Sequence, residues 1–408
     1  MVNWSLGEEG ELLLSNVRIL MSKYGESYWN QIDWRREFPE DFINDFFKAE
    51  LGGILVPKEY GGPGMGAREA SAILYEVNRL GGNSYFLHGQ YYVTYALSRC
   101  VGGDRRDICL REVVRGRRAM TLALTEPQAG SDTTKISTFA RKVNGKFIVN
   151  GRKVFISRLS HTDYLLLAVR TSPYDPARRT YGITLFLVDA KSPGIERKEI
   201  RTMSNTDAHE VNFNNLELSM DDVIGEVDKG FGCLLAALNA ERTMIAAELL
   251  GNARWFLDRA VKYASERKVF DRPIGANQGV QFPLANGYAK LLAAEALLGE
   301  TLEQLEGERA GEYSNSLKYI SAELSWDLAN VAMDVYGGYG YASDTGVERK
   351  FRETRLYMVA PVSQNLALSY LAVHSLGLPR KAAPKASSST SLSPMLKFSN
   401  LSQTLIME

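Results

Sequence analysis

The hydrophobic pattern of this 408-residue chain changes period twice, from helical spacing to alternation and back again. Leu13, Val17, Leu20 and Tyr24 recur at helix spacing, and Ile73, Val77 and Leu80 do the same before a Gly81-Gly82 stop. From about Ala119 to Leu218 the period falls to two. There Asn144-Gly145 and Asn150-Gly151 each sit between β-prone runs, which predicts hairpins, and further strands are expected over 164–170, 183–189 and 211–218. Helices return after Gly232. Neither 234–250 nor 313–336 contains Gly or Pro, and Leu317, Ile320, Leu324, Leu328, Val331 and Val335 form one stripe, as in a helix bundle.

The order predicts an α+β multidomain chain: helices over 1–118, an antiparallel β domain over 119–220, and a four-helix bundle over 221–380. The Ser- and Ala-rich stretch Lys381 to Pro394 leads to the expectation of a disordered tail over 381–408. The glycines of Val56 to Gly64 lack the spacing and the Lys of a phosphate-binding loop and read as turn punctuation.

Charge and cysteine content narrow the function classes. Lys plus Arg (48) equals Asp plus Glu (48), so no net field draws the molecule to nucleic acid or anionic lipid. No apolar run approaches the roughly 18 residues of a membrane span. Glu8, Glu9 and Glu11 lie where a targeting peptide would be basic, so a cytoplasmic protein is expected. Cys100, Cys109 and Cys233 are odd in number and form no CxxC, which suggests buried thiols in a reducing compartment. His88, His161, His209 and His374 show no metal-ligand spacing, so no metal is expected.

One residue breaks the pattern in a chemically useful way. Glu241 falls in phase with Leu234, Leu238, Ile245 and Leu249 on an apolar helix face. Burial there raises a carboxyl pKa toward neutrality, as a general base requires. A structural Glu paired with an Arg of a neighbouring helix fits the same spacing, and Glu248, one heptad on, is a rival. Periodicity does not choose between them.

Several motifs together resemble the acyl-CoA dehydrogenase family over about residues 8–380. Leu124-Thr125-Glu126-Pro127-Gln128-Ala129-Gly130-Ser131-Asp132 resembles its L-T-E-P-x-A-G-S-D signature. Asn150-Gly151-x-Lys153-x-Phe155-Ile156-Ser157 is similar to N-G-x-K-x-W-I-T/S, and Glu266-Arg267-Lys268-Val269-Phe270 to E-R-x-x-F, followed by Gln278 and Gln281. Val335-Tyr336-Gly337-Gly338-Tyr339-Gly340 resembles I-L-G-G-x-G, and Val347-Glu348-Arg349 resembles V-E-R.

The resemblance implies α,β-dehydrogenation of an acyl-CoA, with electrons passed from FAD to an electron-transfer flavoprotein, and usually a homotetramer. It implies that main-chain groups from Leu122, Leu124 and Thr125 through Gly130 and Ser131 line the flavin, with Ser131 also on the pantetheine. Phe155 and Ser157 would lie along the isoalloxazine, with Ile156 in the same cofactor-binding set. Arg267 and Gln278 would reach the pyrophosphate and adenosine of FAD in a neighbouring subunit, where Arg suits a phosphate through its planar fork, and Phe270 belongs to the same cofactor-binding set. Gly337, Gly338, Ser363 and Asn365 complete the cofactor set, and Asn239 and Arg242 the substrate set.

Most of the family carries its base in a C-terminal E-G-T-S; here Val359-Ala360-Pro361-Val362-Ser363 places Pro361 at the Glu. A smaller branch, including isovaleryl- and long-chain-type enzymes, takes its Glu from an E-R helix. Asn239-Ala240-Glu241-Arg242 resembles that branch, so the resemblance implies Glu241 as the base, with a hydride leaving C3 for flavin N5. Pro361 has no N–H to offer the thioester carbonyl, and Asp334 replaces a Gln that commonly precedes I-L-G-G. A flavin-dependent oxidase or monooxygenase of the same fold, a DNA-associated flavoprotein and an inactive paralogue stand as alternatives. The run Arg105, Arg106, Arg111, Arg115, Arg117 and Arg118 is the feature that speaks for DNA. Tyr85, Phe86, Tyr91, Tyr92 and Tyr95 could narrow an acyl pocket or belong to the core.

Overall fold

A computed structural model describes residues 4–116 and 119–379; Arg117, Arg118 and the expected tail over 381–408 lie outside the described residues. Six helices come first: α1 Glu8–Lys23, α2 Glu26–Arg35, α3 Glu40–Lys48, α4 Ala67–Arg79, α5 Tyr85–Arg99 and α6 Asp104–Val114. Eight strands follow: β1 Met120–Ala123, β2 Phe139–Val143, β3 Lys146–Ser157, β4 Tyr164–Arg170, β5 Ile183–Asp189, β6 Ile195–Ile200, β7 Ala208–Leu218 and β8 Val223–Ile224. After them come α7 Phe231–Glu266, a short hairpin of β9 Lys268–Val269 with β10 Arg272–Pro273, α8 Gln278–Glu303, α9 Ala310–Tyr336, α10 Gly338–Tyr341, α11 Val347–Arg355 and α12 Gln364–Tyr370. The predicted helix–sheet–helix order stands. Among the described residues no helix is long and apolar enough to cross a membrane.

The sheet runs β6-β7-β3-β2-β4-β5-β8 and is antiparallel except where β1 and the end of β2 pair with β4 in parallel. Strands β4 and β5 begin and end as expected, because both are buried on both faces. Asn144-Gly145 makes the β2–β3 hairpin. Asn150-Gly151 does not turn the chain: it lies inside β3 as a bulge, with Gly151 at φ +149°. A Cβ on Gly151 would lie 2.6 Å from the Thr138 Cα, so glycine serves close strand packing there.

Helix α7 runs 36 residues, past Gly251, well beyond the expected stretch. A side chain on Gly251 would lie 2.3 Å from the Tyr75 carbonyl oxygen, so this glycine lets α4 approach α7 rather than ending the helix. The interior of the bundle is built from Leu250, Phe256, Leu291, Leu298, Leu317, Leu324 and Leu328. Ile320, placed on the same stripe by the sequence, is 40% exposed. A second core joins α5 and α6 to the sheet and the start of α7 through Tyr92, Leu97, Leu110, Leu124, Leu185 and Leu234. The cysteines correct another expectation: Cys100 and Cys233 form a disulfide across this junction, Cα atoms 5.9 Å apart, while Cys109 is buried and free of a disulfide. Sequence spacing gave no sign of it, since the pairing depends on the end of α5 meeting the start of α7.

Candidate active site

The two acidic residues of α7 occupy different electrostatic settings. Glu241 is 6% exposed and accepts no hydrogen bond from a described residue. Burial raises its pKa to about 7, opposed by the adjacent Arg242. Glu248, 1% exposed, is fully engaged: His88 Nδ1 lies 2.9 Å from Oε2, and the Tyr357 hydroxyl donates to Oε1. Burial opposes its ionisation, but the charge of His88 and these hydrogen bonds overcome that and hold its pKa below the usual carboxylate range. A poised, unpartnered carboxyl suits proton abstraction; a carboxylate locked by donors suits structure.

Helix α5 faces this stretch of α7. Tyr92 is buried close enough to Glu241 for its hydroxyl to feel that charge. Tyr85 donates to Ser157 Oγ at 2.5 Å, joining α5 to the last residue of β3. Gly89 leaves room for the Arg158 guanidinium, 2.6 Å from where a Cβ would stand, and that guanidinium donates to the Phe86 and Met120 carbonyls. Beside Glu241, Arg242 donates to Asn239 Oδ1 at 2.8 Å, while its Nε is buried without a partner. That unpaired donor fits a polar ligand.

Two signature residues, Glu126 and Lys153, shape the loop between β1 and β2. Glu126 accepts from Lys153 Nζ at 2.8 Å, the Ser137 N–H at 2.7 Å and the Thr138 N–H at 3.0 Å. Burial pushes its carboxyl up, yet the charge and hydrogen bond of Lys153 outweigh this and bring it to about 2. The loop is thereby fixed with Leu122 and Thr125 half-buried, Leu124 buried, and Gly130 and Ser131 exposed. On β3, Phe155 is 62% exposed at φ +57°, Ile156 is buried and Ser157 half-buried. An exposed aromatic ring near the end of β3 fits a flat, largely apolar ring system such as isoalloxazine.

A cleft of about 570 Å³ brings together Arg267, Asp334, Gly337 and Gly338 with Tyr263, Tyr336 and Tyr339. Gly337 has φ +56°, and a Cβ on Gly337 or Gly338 would meet nothing within 4 Å, so both glycines present open backbone. An exposed Arg beside stacked tyrosines, Tyr263 on Tyr336 at 4.1 Å, would suit a phosphate next to a flat ring. Phe270, 93% exposed, and exposed Gln278 lie outside that lining. Ser363 caps α12 by accepting from the Leu366 N–H at 3.3 Å, with Asn365 exposed in the next turn.

The segment carrying Pro361 is held by a lysine that the sequence reading did not single out. Lys318, fully buried, donates to the Tyr357 and Val362 carbonyls and to Gln364 Oε1. Burial, helped by Arg242, lowers its pKa to about 8. The network of His88, Glu248 and Tyr357 was also missed; its partners lie 109 and 160 residues apart, and the phase of Glu248 was its one visible trace. Of the basic run, Arg105 pairs with Asp222, Arg106 with Asp107 and the Tyr60 hydroxyl, and Arg111 lies over the Tyr60 ring. Among the described residues, no cluster of His, Cys, Asp or Glu could hold a metal.

Known proteins match this arrangement along its length. Residues 7–117, 121–216 and 228–361 match the N-terminal, middle and C-terminal domains of acyl-CoA dehydrogenase respectively. The chain is 33% identical over 358 residues to a 3-(aryl)acrylate reductase of Clostridium sporogenes, covering 86% of this chain and 94% of that protein. It is 28% identical to the Caffeyl-CoA reductase-Etf complex subunit CarC of Acetobacterium woodii, covering 81% and 88%. Among solved structures, a glutaryl-coenzyme A dehydrogenase–glutaryl-CoA complex superposes with a TM-score of 0.85 at 25% identity, covering 92% and 97%.

Proposed function

Because the chain belongs to the acyl-CoA dehydrogenase family, we propose that Glu241 is the base of its reaction. The protein is an oxidoreductase that dehydrogenates acyl-CoA thioesters. The family uses FAD, which supplies the two-electron acceptor when bound. The observation that carries the assignment is the contrast on α7 between unpartnered Glu241 and hydrogen-bonded Glu248.

In this reading Glu241 takes the proton from C2 of the thioester. Its charge is least solvated when the acyl group covers it, which keeps it a competent base near neutral pH. Arg242 and Asn239 hold the thioester and pantetheine side, with Ser131 on the same path. The carbonyl oxygen needs a donor as negative charge develops on it. Pro361 offers none, but the next N–H, that of Val362, makes no hydrogen bond to a described residue, and Lys318 pins the Val362 carbonyl. We assign Val362 as the replacement donor. Pro361 and Glu241 together support placement in the branch whose base rides an E-R helix.

FAD would lie with its ring on β1 and β3, against Leu122, Leu124, Thr125, Phe155, Ile156 and Ser157. Its adenosine end would meet Arg267, Gly337 and Gly338 of a second copy. Ser363 and Asn365, at the head of α12, would complete the cofactor set, and Gln278 would join the same shared site. A site shared between copies requires an oligomer, and the exposed Phe270, Phe282 (62%) and Tyr341 (83%) support a homotetramer. Electron-transfer flavoprotein as acceptor, a cytoplasmic location with the CoA pool, and domain limits of 1–118, 119–220 and 221–380 complete the proposal.

The test is anaerobic addition of an acyl-CoA panel to FAD-loaded protein and to Glu241→Gln. Bleaching lost in the variant supports the assignment. Bleaching that survives removes Glu241 as base, and none with any thioester sinks the dehydrogenase reading.

A further inference from the structure

Helices α5 and α7 pack antiparallel, and one covalent bridge joins their ends. Cys100, the residue that follows α5, is bonded to Cys233 in the first turn of α7. Eight residues back along α5 stands Tyr92, and eight residues on along α7 stands Glu241, whose charge Tyr92 feels. The bridge is therefore in register with the carboxyl and about 12 Å from it along α7, at 1.5 Å per residue. Ala96, Leu97, Leu234 and Ala237 fill the interval and share one core with Tyr92. Tying the two helix ends together thus seats the Tyr92 wall on this stretch of α7.

Two features favour a bridge that opens and closes over a permanent staple. The first is stabilisation of the reduced form. Cys233 is the third residue of a 36-residue helix whose first turn carries no acidic side chain, so a thiolate there lies at the positive end of the helix. Arg106 donates to the Cys100 carbonyl at 2.6 Å, which brings a guanidinium to the other cysteine. A disulfide whose thiolates are stabilised is readily reduced. The second feature is that the two segments stay together when the bond is open. The Gly225 N–H donates to the Val101 carbonyl at 2.6 Å, and Gly102 pairs with Ile224. The chain after Cys100 is thereby held against the chain before Cys233, and reclosure needs no search. Access is one-sided: Cys100 is 4% exposed, whereas Cys233 is half-buried beside exposed Gly232. In the reducing compartment proposed for this chain, a disulfide is more often redox-active than structural.

We propose that Cys100 and Cys233 form a thiol–disulfide switch, opened by a cellular dithiol and closed by its oxidised form, whose closed state clamps the Tyr92 wall of α5 against the Glu241 stretch of α7. In opening, one thiolate of the dithiol attacks Cys233 Sγ, and Cys100 Sγ leaves as a thiolate that takes up a proton. The second thiol of the reductant then displaces Cys233 from the mixed disulfide. Two electrons and two protons pass to the protein, and the dithiol becomes a disulfide. Closure is the same exchange run backwards. The switch itself needs no substrate; its effect on turnover rests on the reading of Glu241 as the base.

The experiment holds the FAD-loaded protein in reduced or oxidised dithiothreitol, quenches it in denaturant with a maleimide, and counts labelled thiols by mass spectrometry. One label, on Cys109, is expected in the oxidised buffer, and three labels in the reduced buffer with native circular dichroism retained. Hydrogen exchange should rise about threefold or more over 92–100 and 231–241 when the bridge opens, and stay level in α8. Bleaching by a saturating acyl-CoA should slow by about threefold or more in the open form. Cys233→Ser should match the open form in both buffers. Because the wild type is compared with itself, the answer does not depend on that variant folding. A bridge that opens only when the protein unfolds is a staple, and three labels in the oxidised buffer mean that no bridge forms; either result overturns the switch. Equal exchange and equal bleaching rates in the two states overturn the clamp. No bleaching in either state sinks the dehydrogenase reading instead, and labelling and exchange, which use no substrate, tell the two failures apart.

Discussion

Lys153 Nζ lies 2.8 Å from Glu126 Oε1 with both side chains buried, so two separate sequence motifs meet as one ion pair between β3 and the loop that follows β1. Lys153 also donates to the Leu124 carbonyl at 2.9 Å, and Glu126 holds the Ser137 and Thr138 N–H groups. The pair therefore fixes the backbone path of the loop between β1 and β2. Its loss leaves one buried charge without a partner, which costs about 3–5 kcal/mol. Glu126→Ala and Lys153→Ala should each lower stability by that order and release FAD. Urea denaturation followed by circular dichroism and flavin fluorescence measures both effects, and a change under 1 kcal/mol in either variant would refute the role.

The base at Glu241 has a pH signature. Its pKa of about 7 means that the reactive carboxylate is the minority form at pH 6 and the majority form at pH 8. The rate of flavin bleaching by a saturating acyl-CoA should rise about tenfold per pH unit below 7 and level off above it. Stopped-flow absorbance over pH 5.5–9 checks this. A flat profile, or a midpoint near 4.5, would show that burial is not tuning the group.

The same shift links stability to pH. The folded-state pKa of Glu241 lies above its reference value of 4.5, so the folded chain keeps a proton that the unfolded chain releases. That stabilisation is complete below pH 4.5 and is lost as pH rises through about 7. Glu241→Gln does not titrate. Its stability relative to wild type should therefore grow from about pH 4.5 and level above 7, at about 3 kcal/mol as an upper bound. Thermal denaturation of both proteins at pH 5 and pH 8 tests the sign, and a variant that loses ground with rising pH contradicts it.

In the cofactor placement we propose, Arg267 meets the phosphates; it is exposed at the cleft with Gly337 and Gly338 and forms no ion pair among the described residues. A charge-assisted contact to phosphate is worth about 1.5–3 kcal/mol, or roughly ten- to a hundredfold in affinity. Arg267→Ala should weaken FAD binding by that factor and leave the pH midpoint of bleaching, once FAD is saturating, where Glu241 sets it. Equilibrium dialysis with FAD gives the affinity.

How far these features were legible depends on where their causes lie. Strands β4 and β5 could be read to the residue, since continuous apolar runs are their own evidence of burial on both faces. Glu241 was legible as an apolar-face carboxylate, yet its advantage over Glu248 was not, because His88 and Tyr357 come from distant segments. Gly251 and Asn150-Gly151 misled for a shared reason. A glycine can mark a helix stop or a turn, but here each accommodates another segment's backbone, Tyr75 in one case and Thr138 in the other. The Cys100–Cys233 bridge and the Lys318 anchor are likewise properties of packing rather than of spacing.

Glu248 offers a control on the whole assignment. It lies on the same helix face as Glu241 and is equally acidic by sequence, but its two oxygens are already taken by His88 and Tyr357. Glu248→Gln removes the charge while keeping the shape, so each donor loses part of a charge-assisted hydrogen bond. Stability should fall by about 1–3 kcal/mol. Proton abstraction from a simple acyl-CoA should persist, with its pH midpoint still near 7, since Glu241 is untouched. Thermal denaturation and stopped-flow bleaching of the one variant give both answers. Abolished bleaching in a folded, FAD-loaded Glu248→Gln, with bleaching retained in Glu241→Gln, would reverse the roles assigned to the two carboxylates.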